Sequence, residues 1–190
     1  MTDLPLHPAA RASYDAVSRR LHWFMAALIA LAFVLGLTID AFPKDWKPVA
    51  LETHKIAGIA ALLLLIVRFG WRLTHRMPAQ AESPAVLALA ARAGHAALYV
   101  LMLIVPVIGL IYAIRRGQGF DFGLFSLPPL QAPEPRAVIR PLRERHEWAA
   151  YALIALAGLH TLAALWHHFV RKDDTLQRML PEATQRPLKG

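Results

Sequence analysis

Residues 146–170 read HEWAAYALIALAGLHTLAALWHHFV and form a long apolar run. A bilayer core takes about 20 helical residues, at a rise of about 1.5 Å each, so this run is long enough to cross it. It opens on His146 and carries His160 fourteen residues later. On a helix, these two imidazoles share nearly the same face and lie about 21 Å apart along the axis. The stretch therefore predicts a membrane-spanning helix with histidines at two depths.

Three similar runs precede it, at 21–39, 54–71 and 94–114. We expect an all-α, integral membrane, up-and-down four-helix bundle. It forms a single domain, 1–190, with polar tails at 1–20 and 171–190. The first run is expected to be a retained span, because a polar segment precedes it and no small-x-small cleavage site follows it.

The composition supports a membrane protein. Apolar residues make up 56% of the chain, and the net charge of +8 comes from 21 Lys and Arg that flank the apolar runs. This separation argues against nucleic acid as a partner. The chain has no cysteine, which excludes disulfides, thiolate-ligated haem, iron–sulfur clusters and covalent C-x-x-C-H haem attachment.

The loop charges predict the orientation. Lys and Arg are more numerous at the end that holds both termini than at the opposite end. Because cytoplasmic loops carry the excess of basic residues, we expect both termini in the cytoplasm of a bacterial inner membrane. The loop at 115–145 is rich in arginine and opposes this bias.

Histidines and glycines mark two depths in the four runs. His22, His54, His95 and His146 each open one run, and a step of fourteen residues reaches Gly36, Arg68, Gly109 and His160. Since successive helices alternate in direction, two layers follow. The outer layer holds Gly36, His54, Gly109 and His146, and the inner layer holds His22, Arg68, His95 and His160.

This pattern favours two b haems, each held by two histidines on facing helices. The outer haem takes His54 and His146, and glycines, including Gly58, leave room for a porphyrin. The inner haem takes His160 with either His22 or His95. The alternatives are interhelical hydrogen bonds, a proton path or Zn²⁺, which usually needs three or four ligands.

The chain resembles the bacterial cytochrome b561 family, which shares its fold with the cytochrome b subunits of membrane hydrogenases and formate dehydrogenases. The resemblance covers nearly the whole chain. It rests on RLHWFMA (20–26), ETHKIAG (52–58), GHAALYVLMLIVPVIGL (94–110), RHEWAAY (145–151) and GLHTLAALWHHFVRKDDTLQRMLP (158–181). It implies one haem b held by His54 and His146, and a second held by His22 and His160.

The remaining polar residues suggest roles near the inner haem. A quinone needs a hydrogen-bond donor and protons from the nearby water, so His167 is the first candidate for a ubiquinone site and His95 the second. His168 is expected to face the surface, while His7 and His75 receive no role. Arg68, inside a span, is expected to pair with a haem propionate or to extend to the phosphate layer.

The outer loop carries a cluster of basic residues. Arg115, Arg116, Arg143 and Arg145 are expected to steer a small anion toward the outer haem. Some relatives in the resembled family oxidise superoxide and reduce ubiquinone, which this charge would suit.

These features together predict an oxidoreductase that reduces ubiquinone with electrons from an outer-face donor, with superoxide preferred. One alternative is a cytochrome b anchor that relays electrons between a dehydrogenase, hydrogenase or periplasmic carrier and the quinone pool. A second is a non-redox, His-rich channel for protons or metal.

Overall fold

The computed structural model describes residues 13–75 and 84–181. Four long helices dominate it: α1 (Ala16–Thr38), α2 (Lys47–Thr74), α3 (Ala85–Arg115) and α4 (Arg136–Trp166). All four are long and apolar enough to cross a membrane. Helix α1 packs mainly on α2 and α3 on α4, while α2 and α3 join the two pairs. The expected membrane four-helix bundle is therefore confirmed.

The helices bury few side chains against one another. Met25, Ala57, Leu65, Ala113 and Leu153 are buried, whereas large apolar residues cover the outside of the bundle. A bilayer solvates such a surface without a hydrophobic cost. The packed core between the helices is small, and a cavity occupies much of the interior.

Each helix is longer than its apolar run. Helix α1 begins with Asp15 as its cap, whose carboxylate accepts a hydrogen bond from the Ser18 amide. Helix α4 begins at Arg136, ten residues before its apolar run, and so removes ten residues from the expected 115–145 loop. Pro141 is tolerated in the helix because it deprives only the carbonyl of Ala137, in the first turn, of an amide partner.

The segment between α3 and α4 contains a small hairpin. Strands β1 (Phe120–Asp121) and β2 (Ser126–Leu127) pair antiparallel, with Phe120 opposite Leu127. Gly117 and Gly123 have positive φ angles, which glycine adopts without strain. The hairpin lies at the end of the bundle that holds His54 and His146.

The chain continues in defined structure from the end of α4 to residue 181. A π-helical turn, His167–Arg171, ends at Lys172, which has a left-handed φ of 55°. A short 3₁₀ helix, Gln177–Met179, follows. Helix α1 thus begins inside the expected tail at 1–20, and the expected tail at 171–190 is structured up to residue 181. Residues 1–12, with His7, and 182–190 lie outside the described residues.

Candidate functional site

The outer histidines face each other across the bundle. The ring centroids of His54, on α2, and His146, on α4, are 5.9 Å apart, with the ring planes at 90°. Two imidazoles that share one metal through bonds of about 2.0 Å place their centroids about 6 Å apart. The observed spacing fits a single ion between them.

Each outer imidazole is oriented by a backbone carbonyl. Nδ1 of His54 lies 2.7 Å from the carbonyl oxygen of Ala32, and Nδ1 of His146 lies 3.0 Å from that of Val105. Because a carbonyl only accepts, each Nδ1 carries the proton. Each Nε2 is thereby left with its lone pair, as an axial ligand requires.

Two glycines make these orientations possible. A Cβ at Gly36 would lie 3.0 Å from Cε1 of His54, and one at Gly109 would lie 2.8 Å from Cε1 of His146. Each glycine lies four residues after the residue whose carbonyl the histidine contacts. It is therefore one helical turn farther along the same face of the helix. The imidazole therefore rests directly on the helix backbone.

A cavity of about 840 Å³ extends from the outer histidines to the outer end of the bundle. Gly36, Gly58 and Gly109 line it, together with His54 and His146. A volume of this order fits a large cofactor. Cavity, glycine cradle and Nε2 orientation together fit a haem held by these two histidines.

Three histidines meet in the inner layer. The ring of His160 is 6.3 Å from that of His22 and 5.3 Å from that of His95. The described part of the chain contains no cluster of three or more His, Cys, Asp or Glu arranged to hold a metal ion. The structure thus offers two pairs that include His160 and no zinc-type site among the residues it describes.

Arg68 lies beside these histidines with an incompletely satisfied guanidinium. Its Nε is 3.4 Å from the Tyr99 hydroxyl, and its buried Nη1 has no hydrogen-bond partner in the part of the chain that the structure describes. A buried donor of this kind is costly unless a ligand accepts from it. An anionic group, such as a haem propionate, fits this position.

His167 has a carboxylate partner that the sequence did not reveal. Its Nδ1 donates to Asp173 Oδ2 at 2.6 Å, across the π-helical turn. Burial alone would raise the pKa of the Asp173 carboxyl, but hydrogen bonds from Thr175 and His167 hold it below its usual value. His167 and Asp173 therefore form a preorganised acid–base pair at the inner end of α4.

The other histidines lie as follows. His95, the second quinone candidate, belongs to the inner imidazole cluster. His168, expected at the surface, is half-buried, and its buried Nδ1 has no hydrogen-bond partner among the described residues. His75 stacks on Trp71 at 3.6 Å.

The expected anion-steering arginines occupy different settings. Arg116 and Arg143 line the cavity; Arg116 donates to the Tyr112 hydroxyl, and Arg143 pairs with Glu147 at 2.7 Å. Arg115 pairs with Glu134 at 3.3 Å. Arg143 and Arg145 lie on α4 and not in a loop, and Arg145 is not among the residues that line the cavity.

Lys55 and Glu52 also belong to this site, although sequence reasoning missed them. The Lys55 side chain is only 7% exposed; its ammonium contacts Glu52 at 2.5 Å and donates to the Gly119 carbonyl at 2.6 Å. Glu52 accepts from the amide of Asp121. Glu52 and Lys55 lie three residues apart on either side of His54, and this spacing could have predicted their ion pair from the sequence.

The C-terminal segment returns to the start of α1. The Trp23 indole donates to the Met179 carbonyl at 2.8 Å, and the Tyr14 amide to that of Arg178 at 3.4 Å. This contact places residues 173–179 against the inner end of the bundle.

Comparison with known proteins gives consistent results. A family model described as prokaryotic cytochrome b561 matches residues 13–182. The chain is 34% identical to cytochrome b561 homolog 2 of Escherichia coli (strain K12), over 90% of this chain and 93% of that protein. It is 32% identical to the probable superoxide oxidase CybB of Yersinia pestis, over 89% of this chain and 96% of that protein. It is 30% identical to cytochrome b562 of Cereibacter sphaeroides, over 88% of this chain and 94% of that protein.

Proposed function

The chain belongs to the prokaryotic cytochrome b561 family and is therefore a bacterial membrane electron-transfer protein that binds haem b; from this premise we propose that it holds two haems and reduces ubiquinone with electrons from superoxide. The observation that carries the proposal is the pair of imidazole sites along α4. His146 faces His54 at one depth, and His160 faces His22 at another. Fourteen residues separate the two α4 ligands, about 21 Å along the helix.

The axial ligands are His54 with His146 and His22 with His160. A bound b haem supplies a reversible one-electron carrier. For the inner site, the 6.3 Å spacing of His22 and His160 is closer to the outer spacing than the 5.3 Å between His95 and His160. Arg68 would pair with a haem propionate, because its buried Nη1 has no hydrogen-bond partner among the described residues.

Ubiquinone binds at the inner end, beside His167. Reduction to ubiquinol takes two electrons and two protons. His167, hydrogen-bonded to Asp173, can donate to a quinone oxygen through Nε2 and be reprotonated from the cytoplasm. His95, in contact with His160, is the second donor candidate.

The electron donor at the outer end is superoxide. Arg116 and Arg143 line the outer cavity; Arg143 pairs with Glu147, whereas Arg116 donates to a neutral tyrosine hydroxyl, so its positive charge is left to favour entry of a small anion. The name of the Yersinia pestis relative supports the same donor. Two superoxide ions would each lose one electron to become dioxygen, and one ubiquinone would take both electrons with two protons.

The outer end faces the periplasm and both termini lie in the cytoplasm. This arrangement follows from the greater number of Lys and Arg at the end with the termini.

The decisive experiment combines spectra with ligand variants. The purified protein should show two b haems by reduced-minus-oxidised spectra and haem content. His54→Ala and His146→Ala should each lose the outer haem, and His22→Ala and His160→Ala the inner one. His75→Ala, a histidine stacked on Trp71, is the matched control and should keep both.

The donor is tested separately. Superoxide should reduce the haem and, with ubiquinone present, yield ubiquinol. Haem bands without superoxide-driven reduction would favour the anchor that serves a dehydrogenase, and a colourless, folded protein would favour the channel.

A further inference from the structure

Charged groups at the outer layer are largely paired. Lys55 contacts Glu52, Arg143 contacts Glu147, and Lys47 lies 3.7 Å from Asp40. All six residues line the outer cavity, together with Arg116, which has a neutral tyrosine hydroxyl as its partner but is exposed, so that water screens its charge. Paired charges of opposite sign largely cancel at the position of a cofactor.

The inner layer contains an uncompensated cation. Arg68 lies within a span, and no carboxylate of the described residues forms an ion pair with it. The carboxylates at this end have other partners: Asp15 accepts from Ser18 and Trp71, and Asp173 accepts from His167. Arg68 is placed beside the inner histidines by its contact with α3: its Nε lies 3.4 Å from the hydroxyl of Tyr99, which is one turn along α3 from His95, and the His95 ring lies 5.3 Å from that of His160.

We propose that Arg68 makes the inner haem site the stronger electron acceptor, so that electrons move from the outer to the inner face. The inference rests on the two-haem function proposed above. Adding an electron makes a haem site more negative by one charge, and a nearby cation in a poorly screened interior stabilises that state. Arg68 is a positioning and tuning residue and takes no electron itself.

The step moves one electron and no atoms. The outer site is oxidised by one electron, and the inner site is reduced by one. If a propionate pairs with Arg68, removing the guanidinium should shift the inner potential in the same direction. The propionate would then be left uncompensated, which disfavours the reduced state further.

The test measures midpoint potentials by spectroelectrochemical titration, without superoxide or quinone. His146→Ala leaves only the inner haem, and His160→Ala leaves only the outer haem. We expect the inner haem to have the higher potential. Arg68→Gln should lower the inner potential so that the equilibrium between the sites shifts about tenfold toward the outer haem, about 59 mV for one electron.

The controls separate charge from structure. Arg68→Lys keeps the charge and should keep most of the potential difference. Arg72→Gln removes a second arginine of α2, one turn nearer water and exposed over the Tyr99 ring, and should shift the inner potential less because water screens it. The outer haem should not respond to Arg68→Gln.

Each outcome is decisive. Two haems with equal potentials, an outer haem of higher potential, or an Arg68→Gln shift shared by both haems would overturn this inference and leave the proposed function intact. A wild-type protein with one haem would overturn the proposed function as well. If Arg68→Gln fails to retain the inner haem, the order of the two wild-type sites still decides.

Discussion

The outer site repeats one local arrangement of three residues. In the α1–α2 hairpin, His54 rests on Gly36 and contacts the carbonyl of Ala32; in the α3–α4 hairpin, His146 rests on Gly109 and contacts Val105. The same spacing in both hairpins indicates that the imidazole orientation depends on the absence of a side chain at Gly36 and Gly109. A glycine is needed here for close approach and not for backbone freedom.

Replacing these glycines should displace the outer histidines. In Gly109→Ala, a Cβ 2.8 Å from Cε1 of His146 must push the ring away, and such overpacking costs about 1–3 kcal/mol. We expect the outer haem to bind about ten- to a hundredfold more weakly, measured by haem titration of apoprotein. Gly36→Ala, at 3.0 Å, should have a smaller effect.

Gly158→Ala is the control for this pair, since a Cβ there meets nothing within 4 Å. Unchanged haem affinity in Gly109→Ala would show that the outer imidazoles do not depend on this contact.

Asp173 should matter to quinone reduction through His167. Asp173→Asn removes the anion that holds Nδ1–H, so we expect quinol formation to slow about tenfold while both haems remain. Asp174→Asn, which breaks an ion pair with Arg178, is the neighbouring control. Equal rates in the two variants would contradict a specific role for Asp173.

The same carboxylate predicts a pH dependence of stability. Its pKa is lowered in the folded protein, so its contacts add stability above the usual carboxyl pKa of about 3.9. This contribution is lost as the pH falls through the lowered value. The difference in melting temperature between wild type and Asp173→Asn should therefore persist at neutral pH and vanish in acid.

Among the secondary-structure elements, the hairpin of β1 and β2 is held to α2 by Lys55 and by Glu52, which accepts from the Asp121 amide. The Lys55 ammonium reaches the Gly119 carbonyl and lies 4.8 Å from the centre of the Phe120 ring. Lys55→Met should release this contact, and hydrogen bonds to charged groups contribute about 1.5–3 kcal/mol. We expect amide exchange at residues 119–121 to rise at least tenfold.

The matched control is Lys47→Met. Lys47 also begins α2 and pairs with a carboxylate, but its side chain is 38% exposed and the 3.7 Å contact is loose. Exchange that rises equally in both variants would mean that Lys55 does not anchor the hairpin.

The helices could be predicted from apolar runs, but their ends could not. Charged first turns remain helical beyond the bilayer, as in α4, where Arg140 pairs with Glu144 and Arg143 with Glu147. A hydropathy pattern records only the part of a helix that lipid solvates. The 115–145 loop was therefore predicted too long.

For the whole molecule, the features that follow from helical periodicity could be predicted from the sequence, whereas those of the irregular segments could not. Fourteen-residue spacing was enough to predict that His54 faces His146 and that His160 meets His22 and His95, but it did not choose between those two. The Asp173 contact depends on a π-helical turn and a left-handed Lys172, which no periodicity encodes. The return of Met179 to Trp23 is a long-range contact of the same kind.

The orientation of the bundle can be tested because the chain has no cysteine, so any introduced thiol is unique. Ala85, at the start of α3, and Ala132, after its end, are exposed alanines. A helix of 31 residues separates its ends by about 46 Å, more than a bilayer core. With cytoplasmic termini, Ala132→Cys should react with a membrane-impermeant maleimide in intact spheroplasts, and Ala85→Cys only after lysis. The reverse labelling would place superoxide and ubiquinone on exchanged faces, because the Arg116 and Arg143 cavity would then open to the cytoplasm.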